Sequence, residues 1–388
     1  MQFRQAVQNG AGVMNFLVDE NIPLAHEAFN VQGRVTVFSG RQPSIQDLAE
    51  TEVLLVRSVT QVNQQLLQQA SKLKFVGTAT IGTEHVDMEA LQQRGIGFAS
   101  APGANADSVG EYVLTALLAL AEQQSWQLAG RRVAIVGAGN TGIATGKRLS
   151  ALGMQVGYYD PPLQEQGKQA ASYMTWAEVL QADVISLHVP LQNNGRYKTR
   201  HLLAHKELAQ LGSSQVLINA SRGAVINNQA LLQRQQEKPL WLILDVWEGE
   251  PQILQPLLEK VAIATPHIAG YSLNGKVRAT QMLYQACSRY FAWQQAAPDW
   301  QKLMPDLRAE SWHCDSTLNQ QQLAHWALEN YPIWRDDRKM RERGVDAQGF
   351  DALRKEYPPR YELMSRHLEC DRLSDDERER LQQLGFNL

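Results

Sequence analysis

Along most of the chain, short apolar runs alternate with amphipathic stretches. The runs FLVDE (16–20), RVTVFSG (34–40), VLLVRS (53–58) and KFVGTATIG (74–82) predict β-strands. Between them IPLAHEAFN (22–30), SIQDLAE (44–50) and QVNQQLLQQA (61–70) predict helices, and DMEALQQRG (87–95) predicts a fourth that stops at Gly95. Strands alternating with helices mean parallel βαβ units, and so a small doubly wound domain. A long helix is predicted over 104–124, with Asn105 or Asp107 placed to cap it. A second alternating series then runs through RRVAIVGAGNTGIATGKRLSALGMQVGYYD, ADVISLHVPL, SSQVLINASRGAVI, LWLILDVWEGEP and VAIATPHIAG. The helix expected over 273–295 leads back to the first domain.

A chain of 388 residues suggests two or three domains. After about residue 297 the texture changes: four of the nine tryptophans fall in 298–388, among charge runs such as RDDRKMRERG. Mixed-sign runs suit solvated helix faces and the aromatics suit buried contacts, so a third domain used for association is expected there. Residues 1–13 are polar and aperiodic, and Met14 follows them; a disordered extension or a misplaced start is expected.

The net charge is −3 with no basic block, which gives nucleic-acid binding no electrostatic support. The longest apolar run, YVLTALLALA (112–121), is about half a membrane span and reads as core. No signal-peptide pattern opens the chain. Cys287, Cys314 and Cys370 are odd in number and far apart in sequence, so they are expected as small buried side chains in a reducing cytoplasm.

The strand VAIV leads into Gly137-x-Gly139-x-x-Gly142 and then a helix beginning with Asn140 and Thr141. Gly137 allows a tight turn, Gly139 lets backbone approach a pyrophosphate, and Gly142 lets helix pack on strand. The next strand ends in Asp160, eighteen residues past Gly142. A carboxylate there hydrogen-bonds a ribose diol and repels a 2′-phosphate, so NAD is expected over NADP.

Three later strand ends carry reactive groups: Arg222 in INASRG, Glu250 in DVWEGEP and His267 in TPHIAG. In a parallel sheet the carboxyl ends of the strands share one edge. Arg222 suits a substrate carboxylate. His267 suits removal of a hydroxyl proton as hydride leaves the same carbon. Glu250 suits orientation of the imidazole, with Glu248 as the competing carboxylate. In the first domain Arg57 and Ser58 end a strand, where they can meet a phosphate or the carboxylate end of a substrate.

These stretches resemble the D-isomer-specific 2-hydroxyacid dehydrogenases over about residues 14–297. The motifs are GAGNTG, NASRG, DVWEGEP and PHIAG, with PGANADSVGEY similar to the family's crossover helix. The resemblance implies NAD-dependent oxidation of a D-2-hydroxy acid with Arg222, Glu250 and His267 in the roles given above. It implies substrate contacts from Ser58, Thr80 and Tyr271, and NAD contacts from Asp160, Asp245 and Gly270. LVDENIPLA, VRSVT and TPHIAGYSLNGK resemble a subset that acts on a phosphorylated substrate and dimerises through a C-terminal extension of about ninety residues. The expected fold class is thus α/β: two doubly wound parallel-sheet (Rossmann/flavodoxin-like) domains plus a C-terminal α+β dimerisation domain. The expected boundaries are 14–105 with 277–297 for a substrate-binding lid, 106–276 for the NAD-binding domain and 298–388 for dimerisation.

His201 and His205 stand at the i, i+4 spacing of a helical metal pair, but no third ligand is evident and no metal is expected. His85 and His188 are expected to be structural. Two rival functions remain: another dehydrogenase of the family, such as one acting on 3-phosphoglycerate, and a non-enzymatic NAD-sensing protein.

Overall fold

The computed structural model describes residues 14–167, 172–304, 311–314 and 318–388. The expected extension 1–13 lies outside them. The chain divides into two compact units: 1–104 with 275–305, and 105–274 with 306–388.

The first unit is built on strands β1 (Met14–Asp19), β2 (Gly33–Phe38), β3 (Val53–Val56), β4 (Phe75–Thr78) and β5 (Gly97–Ala99). They form one parallel sheet in the order β2-β1-β3-β4-β5. Every residue of β3 and β4 is buried, as expected of strands covered on both faces. The helix Leu273–Phe291 returns to this unit and contributes Leu283, Tyr284 and Cys287 to a core with Phe16, Phe29 and Phe75. It packs closely: a Cβ on Gly77 would come within 2.8 Å of Leu55 and 3.0 Å of Leu283.

The second unit carries β6 (Arg132–Val136), β7 (Gln155–Tyr159), β8 (Val184–Leu187), β9 (Val216–Asn219), β10 (Trp241–Leu244) and β11 (Ile263–Ala264). They form a parallel sheet in the order β11-β10-β9-β8-β6-β7. The chain leaves β6 in one direction to make β7 and returns to the other side of β6 to make β8. The carboxyl ends of β6 and β8 therefore flank the switch point where such sheets bind ligands.

The helix Ala106–Gln124 is buried on all sides from Val109 to Ala121. Neither expected capping residue acts as a side-chain cap. Asn105 holds the N-cap position without a side-chain cap hydrogen bond, and Asp107 instead pairs with Arg148 at 3.0 Å. A helix apolar all round needs cover on more than one face. Here the C-terminal segment supplies it: Leu323, Trp326, Ala327, Tyr331, Ile333, Leu381 and Leu384 share one core with Tyr112, Leu114 and Leu118. Of residues 298–388, expected as a separate domain, 306–388 fall in the same compact unit as 105–274 and those up to 305 fall in the first unit. Residues 306–388 are α+β: helices Gln320–Asn330, Ile333–Arg343, Ala347–Lys355 and Asp375–Leu384 accompany a two-stranded parallel sheet, β12 (Trp312–Cys314) and β13 (Leu368–Cys370).

The cysteines are only partly as expected. Cys287 and Cys314 are buried, but Cys314 and Cys370 also stand opposite each other on β12 and β13, with no disulfide between them. Burial, and then the neighbouring Cys314, push the Cys370 thiol up to about 12.

A buried polar seam ties the C-terminal segment to the rest of its unit. Arg360 donates to Ser108 Oγ and to the Ala269 carbonyl, both at 2.6 Å. Ser272 Oγ donates to Glu362 at 2.6 Å, and the Leu363 N–H reaches Glu111 at 3.1 Å. Burial and the charge of Glu362 push the Glu111 carboxyl up to about 8 against the pull of Arg148 and Arg360. Leu381→Ala, at a site 0% exposed, is expected to cost about 2–5 kcal/mol. Urea denaturation should show this loss in the whole second unit, with no separate early transition for the C-terminal segment.

Candidate active site

The glycine loop leaves β6 with Gly137 at φ +99°, where a Cβ would lie 2.7 Å from the His188 carbonyl oxygen. A Cβ on Gly142 would lie 1.9 Å from the Gly137 carbonyl oxygen, so this glycine lets the helix Asn140–Ala151 rest on the strand. Gly139 differs: a Cβ there would meet nothing within 4 Å, and Gly139 is the N-cap of a helix with no side-chain cap. The first turn, including Asn140 and Thr141, therefore offers N–H groups to an anion. Asp160 sits at the end of the neighbouring strand β7 and is tied to the same loop. Its Oδ2 accepts from Ala138 N at 2.9 Å and its Oδ1 from Leu163 N at 3.1 Å. Each carboxylate oxygen keeps a further acceptor site for a ribose hydroxyl.

Arg222 lies three residues beyond the end of β9. Asn219, 1% exposed, shapes the turn that presents it: Asn219 Oδ1 accepts from Ser221 N (3.1 Å) and Oγ (2.9 Å), and its Nδ2 donates to the Arg222 carbonyl (3.0 Å). The sequence reading missed this role. The available signal was a polar residue closing an otherwise apolar strand. Gly223 then passes so near the next loop that a Cβ would lie 1.9 Å from the Trp247 carbonyl carbon.

The choice between Glu248 and Glu250 is settled by direction. Glu248 turns to His201 Nε2 at 2.6 Å and to Asn228 N at 3.1 Å. Glu250 contacts His267 through Oε1 and Nδ1, and its Oε2 accepts from Trp247 N at 3.1 Å. Burial raises the Glu250 carboxyl. The imidazole of His267, the Trp247 N–H and Arg354 outweigh that effect and hold it below the ordinary carboxylate range. His267 has φ +58°, a conformation that costs a non-glycine residue about 1–3 kcal/mol.

Asp245 keeps His267 there. It is 1% exposed, and Oδ1 accepts from Thr265 Oγ1 (2.7 Å) and Ile268 N (2.8 Å), while Oδ2 accepts from Ala269 N (2.9 Å). The His267 N–H donates to the Asp245 carbonyl at 2.7 Å. Asp245, expected at the cofactor, is thus turned inward and acts on the site by shaping the 265–269 turn. Gly270 follows, and a Cβ there would lie 2.5 Å from Asn105 Nδ2. The ring of Tyr271 lies under the Arg354 guanidinium at 5.9 Å and edge-on to Tyr357 at 6.0 Å.

A family model for the D-isomer specific 2-hydroxyacid dehydrogenase, NAD binding domain, matches residues 114–269. The erythronate-4-phosphate dehydrogenase of Idiomarina loihiensis is 47% identical over 96% of this chain and 98% of its own. That of Tolumonas auensis is 45% identical over 97% and 99%. The chain belongs to the D-isomer-specific 2-hydroxyacid dehydrogenase family. It is an NAD-dependent dehydrogenase. A further model, described as Domain of unknown function (DUF3410), matches residues 303–385. Among solved structures, a D-lactate dehydrogenase of Treponema pallidum aligns with TM-score 0.59 and 25% identity over 73% of this chain and 99% of its own. An NAD-bound 3-phosphoglycerate dehydrogenase of Entamoeba histolytica, 19% identical, shares the fold with TM-score 0.59 over 72% and 96%.

The residues of this dehydrogenase fit NAD: an open Gly139, an uncapped helix end and a carboxylate fixed beside them. In the first unit Arg57 and Ser58 directly follow β3, and Thr80 comes two residues after β4, at the same sheet edge. Thr80 Oγ1 donates to the Gly82 carbonyl at 2.9 Å and lies 2.7 Å from Thr78 Oγ1, which in turn lies 2.9 Å from His85 Nε2. Burial lowers His85 and pushes His188 down to about 3, so both rings are neutral supports. His201 and His205 do not share a helix, since the helix begins at His205 and His201 has φ +53°. Asp245→Ala strands two buried N–H groups and is expected to destabilise the protein by about 2–5 kcal/mol. Thermal denaturation should show that loss together with a fall in turnover and little change in NAD affinity.

Proposed function

We propose that this dehydrogenase oxidises 4-phospho-D-erythronate to 3-hydroxy-2-oxo-4-phosphobutanoate, a step in pyridoxal phosphate (vitamin B6) biosynthesis. The observation that carries the chemistry is the Glu250–His267 pair, held at the same sheet edge as the glycine loop. The choice of substrate is supported by 45–47% identity to erythronate-4-phosphate dehydrogenases over nearly the whole chain.

NAD, when bound, supplies the acceptor for the hydride that leaves C2. His267 Nε2 takes the proton of the C2 hydroxyl while Nδ1 stays on Glu250, which fixes the tautomer and balances the imidazolium that forms. Arg222 forms a two-pronged pair with the substrate carboxylate. Arg57, Ser58, Thr80 and Tyr271 hold the remainder of the substrate, the phosphate among it. Gly137, Gly139, Asn140, Thr141 and Gly142 would hold the pyrophosphate and Asp160 the ribose diol, with Gly270 a further NAD contact. The enzyme works in the cytoplasm as a homodimer joined through the C-terminal segment. No helix among the described residues is long and apolar enough to cross a membrane.

The test is NADH formation with 4-phospho-D-erythronate, 3-phosphoglycerate and D-lactate. Fastest turnover is expected with the first. Preference for 3-phosphoglycerate points to the other family activity, and NADH binding without turnover of any substrate points to an NAD sensor. His267→Ala is expected to lower turnover by roughly 10² to 10⁴ while NAD binding persists. Asp160→Ala should narrow the NAD-over-NADP preference in kcat/KM, and an unchanged ratio removes the ribose contact.

A further inference from the structure

We propose that Cys314 and Cys370 are a modification site, a dithiol that hydrogen peroxide converts into a reversible disulfide tying strands β12 and β13 of the C-terminal segment. The inference does not depend on which hydroxy acid the enzyme oxidises.

The strand ladder brings the two thiols together. β12 and β13 pair in parallel, with Cys314 directly opposite Cys370. Neighbouring strands run about 4.8 Å apart, inside the roughly 4.4–6.8 Å between Cα atoms that a disulfide spans. Opposed side chains on this ladder do reach each other: one step earlier, His313 Nδ1 lies 3.2 Å from Glu369 Oε2 on the solvent face. The two-residue period of a strand turns Cys314 and Cys370 to the other face, beside Trp312 and Leu368. There Cys314 is buried and Cys370 half-buried. The two cysteines share one face and one register, so the bond can form without a slide of either strand.

Cys370, the more exposed of the two, meets the oxidant. Its thiolate attacks hydrogen peroxide, the O–O bond breaks, one oxygen stays on sulfur as a sulfenic acid, and hydroxide leaves with a proton as water. The Cys314 sulfur then attacks the Cys370 sulfur, the S–O bond breaks, and the second hydroxide leaves with the Cys314 proton as water. Two thiols lose two electrons, and one peroxide becomes two waters. Burial and the facing Cys314 hold the Cys370 thiol up at about 12, with Asp371 adding to the rise and Arg378 opposing it. Thiolate is therefore scarce near neutral pH, and the pair answers sustained rather than brief oxidation. A reducing compartment keeps it as thiols and reopens the bond. The bond has a structural purpose. Strands of three residues make a weak two-stranded sheet by themselves. The link closes the chain from 314 to 370, which carries the helices Gln320–Asn330, Ile333–Arg343 and Ala347–Lys355 and the Arg360 that donates to the Ala269 carbonyl. Closing that loop restricts the unfolded chain and so keeps the segment folded over the helix Ala106–Gln124.

The test treats the full-length protein with hydrogen peroxide at about pH 9, where thiolate is more abundant, and then with dithiothreitol. Titrated after denaturation, the three thiols of the chain are expected to fall to one on oxidation and return to three on reduction. The survivor should be Cys287, which is 0% exposed. Peptide mass analysis should show the segments holding Cys314 and Cys370 joined, with two hydrogens lost. The thermal midpoint should rise by roughly 5–10 °C on oxidation and fall back on reduction. Cys370→Ser should abolish both the link and the rise, and should that variant not fold, Cys370→Ala carries the same expectations. Three thiols persisting after treatment, sulfinic or sulfonic acid at Cys370 without a link, or a link between separate molecules overturns the proposal. An equal rise in midpoint in a folded Cys370 variant overturns it as well.

Discussion

One buried carboxylate holds the catalytic edge in shape. Asp245 directly follows β10 and accepts three hydrogen bonds from the 265–269 segment, and its own carbonyl takes the His267 N–H. Burying a carboxylate this deeply is tolerable only when its acceptor sites are filled, and here the Thr265 hydroxyl and the Ile268 and Ala269 N–H groups of the next turn fill them. The return is conformational. His267 is kept at a left-handed φ that its side chain disfavours, and that twist directs Nδ1 to Glu250. Without the Asp245 anchor the imidazole and carboxylate have no fixed mutual geometry.

The second constraint is the close contact of successive loops. Gly137 rides on the His188 carbonyl, Gly142 on Gly137, and Gly223 on the Trp247 backbone. The loops after β6, β9 and β10 are thus set against their neighbours rather than left to hang from the sheet. The C-terminal segment adds to this network at a point just past the catalytic turn. Arg360 holds the Ala269 carbonyl, and the Leu273 N–H donates to the Arg360 carbonyl at 2.7 Å.

What the sequence made legible follows from locality. Alternating strands and helices, the glycine loop with Asp160, and the Arg222, Glu250 and His267 strand ends all announce themselves within short windows. Even the burial of the 112–121 stripe was readable, though not what covers it. The remainder depends on where side chains point in loops. The text ranks Glu250 above Glu248 only by its place beside the Pro turn, whereas the folded turn sends Glu248 to His201 and Glu250 to His267. The family resemblance makes Asp245 a cofactor contact, but its carboxylate faces inward, to the 265–269 turn. Asn105 and Asp107 look like caps, yet Asp107 is drawn to Arg148. Cys314 and Cys370 are far apart in sequence and opposite each other in the sheet.

The helix Ala106–Gln124 carries a consequence for how this enzyme differs from shorter members of its family. Buried on every side from Val109 to Ala121, it is covered by the C-terminal segment that folds back over it. A relative ending soon after the return helix must meet the face where Tyr112 here packs on Tyr331 either with polar side chains or with another protein surface. In this chain helix and extension are coupled: shedding the segment would bare Tyr112, Leu114 and Leu118 to water.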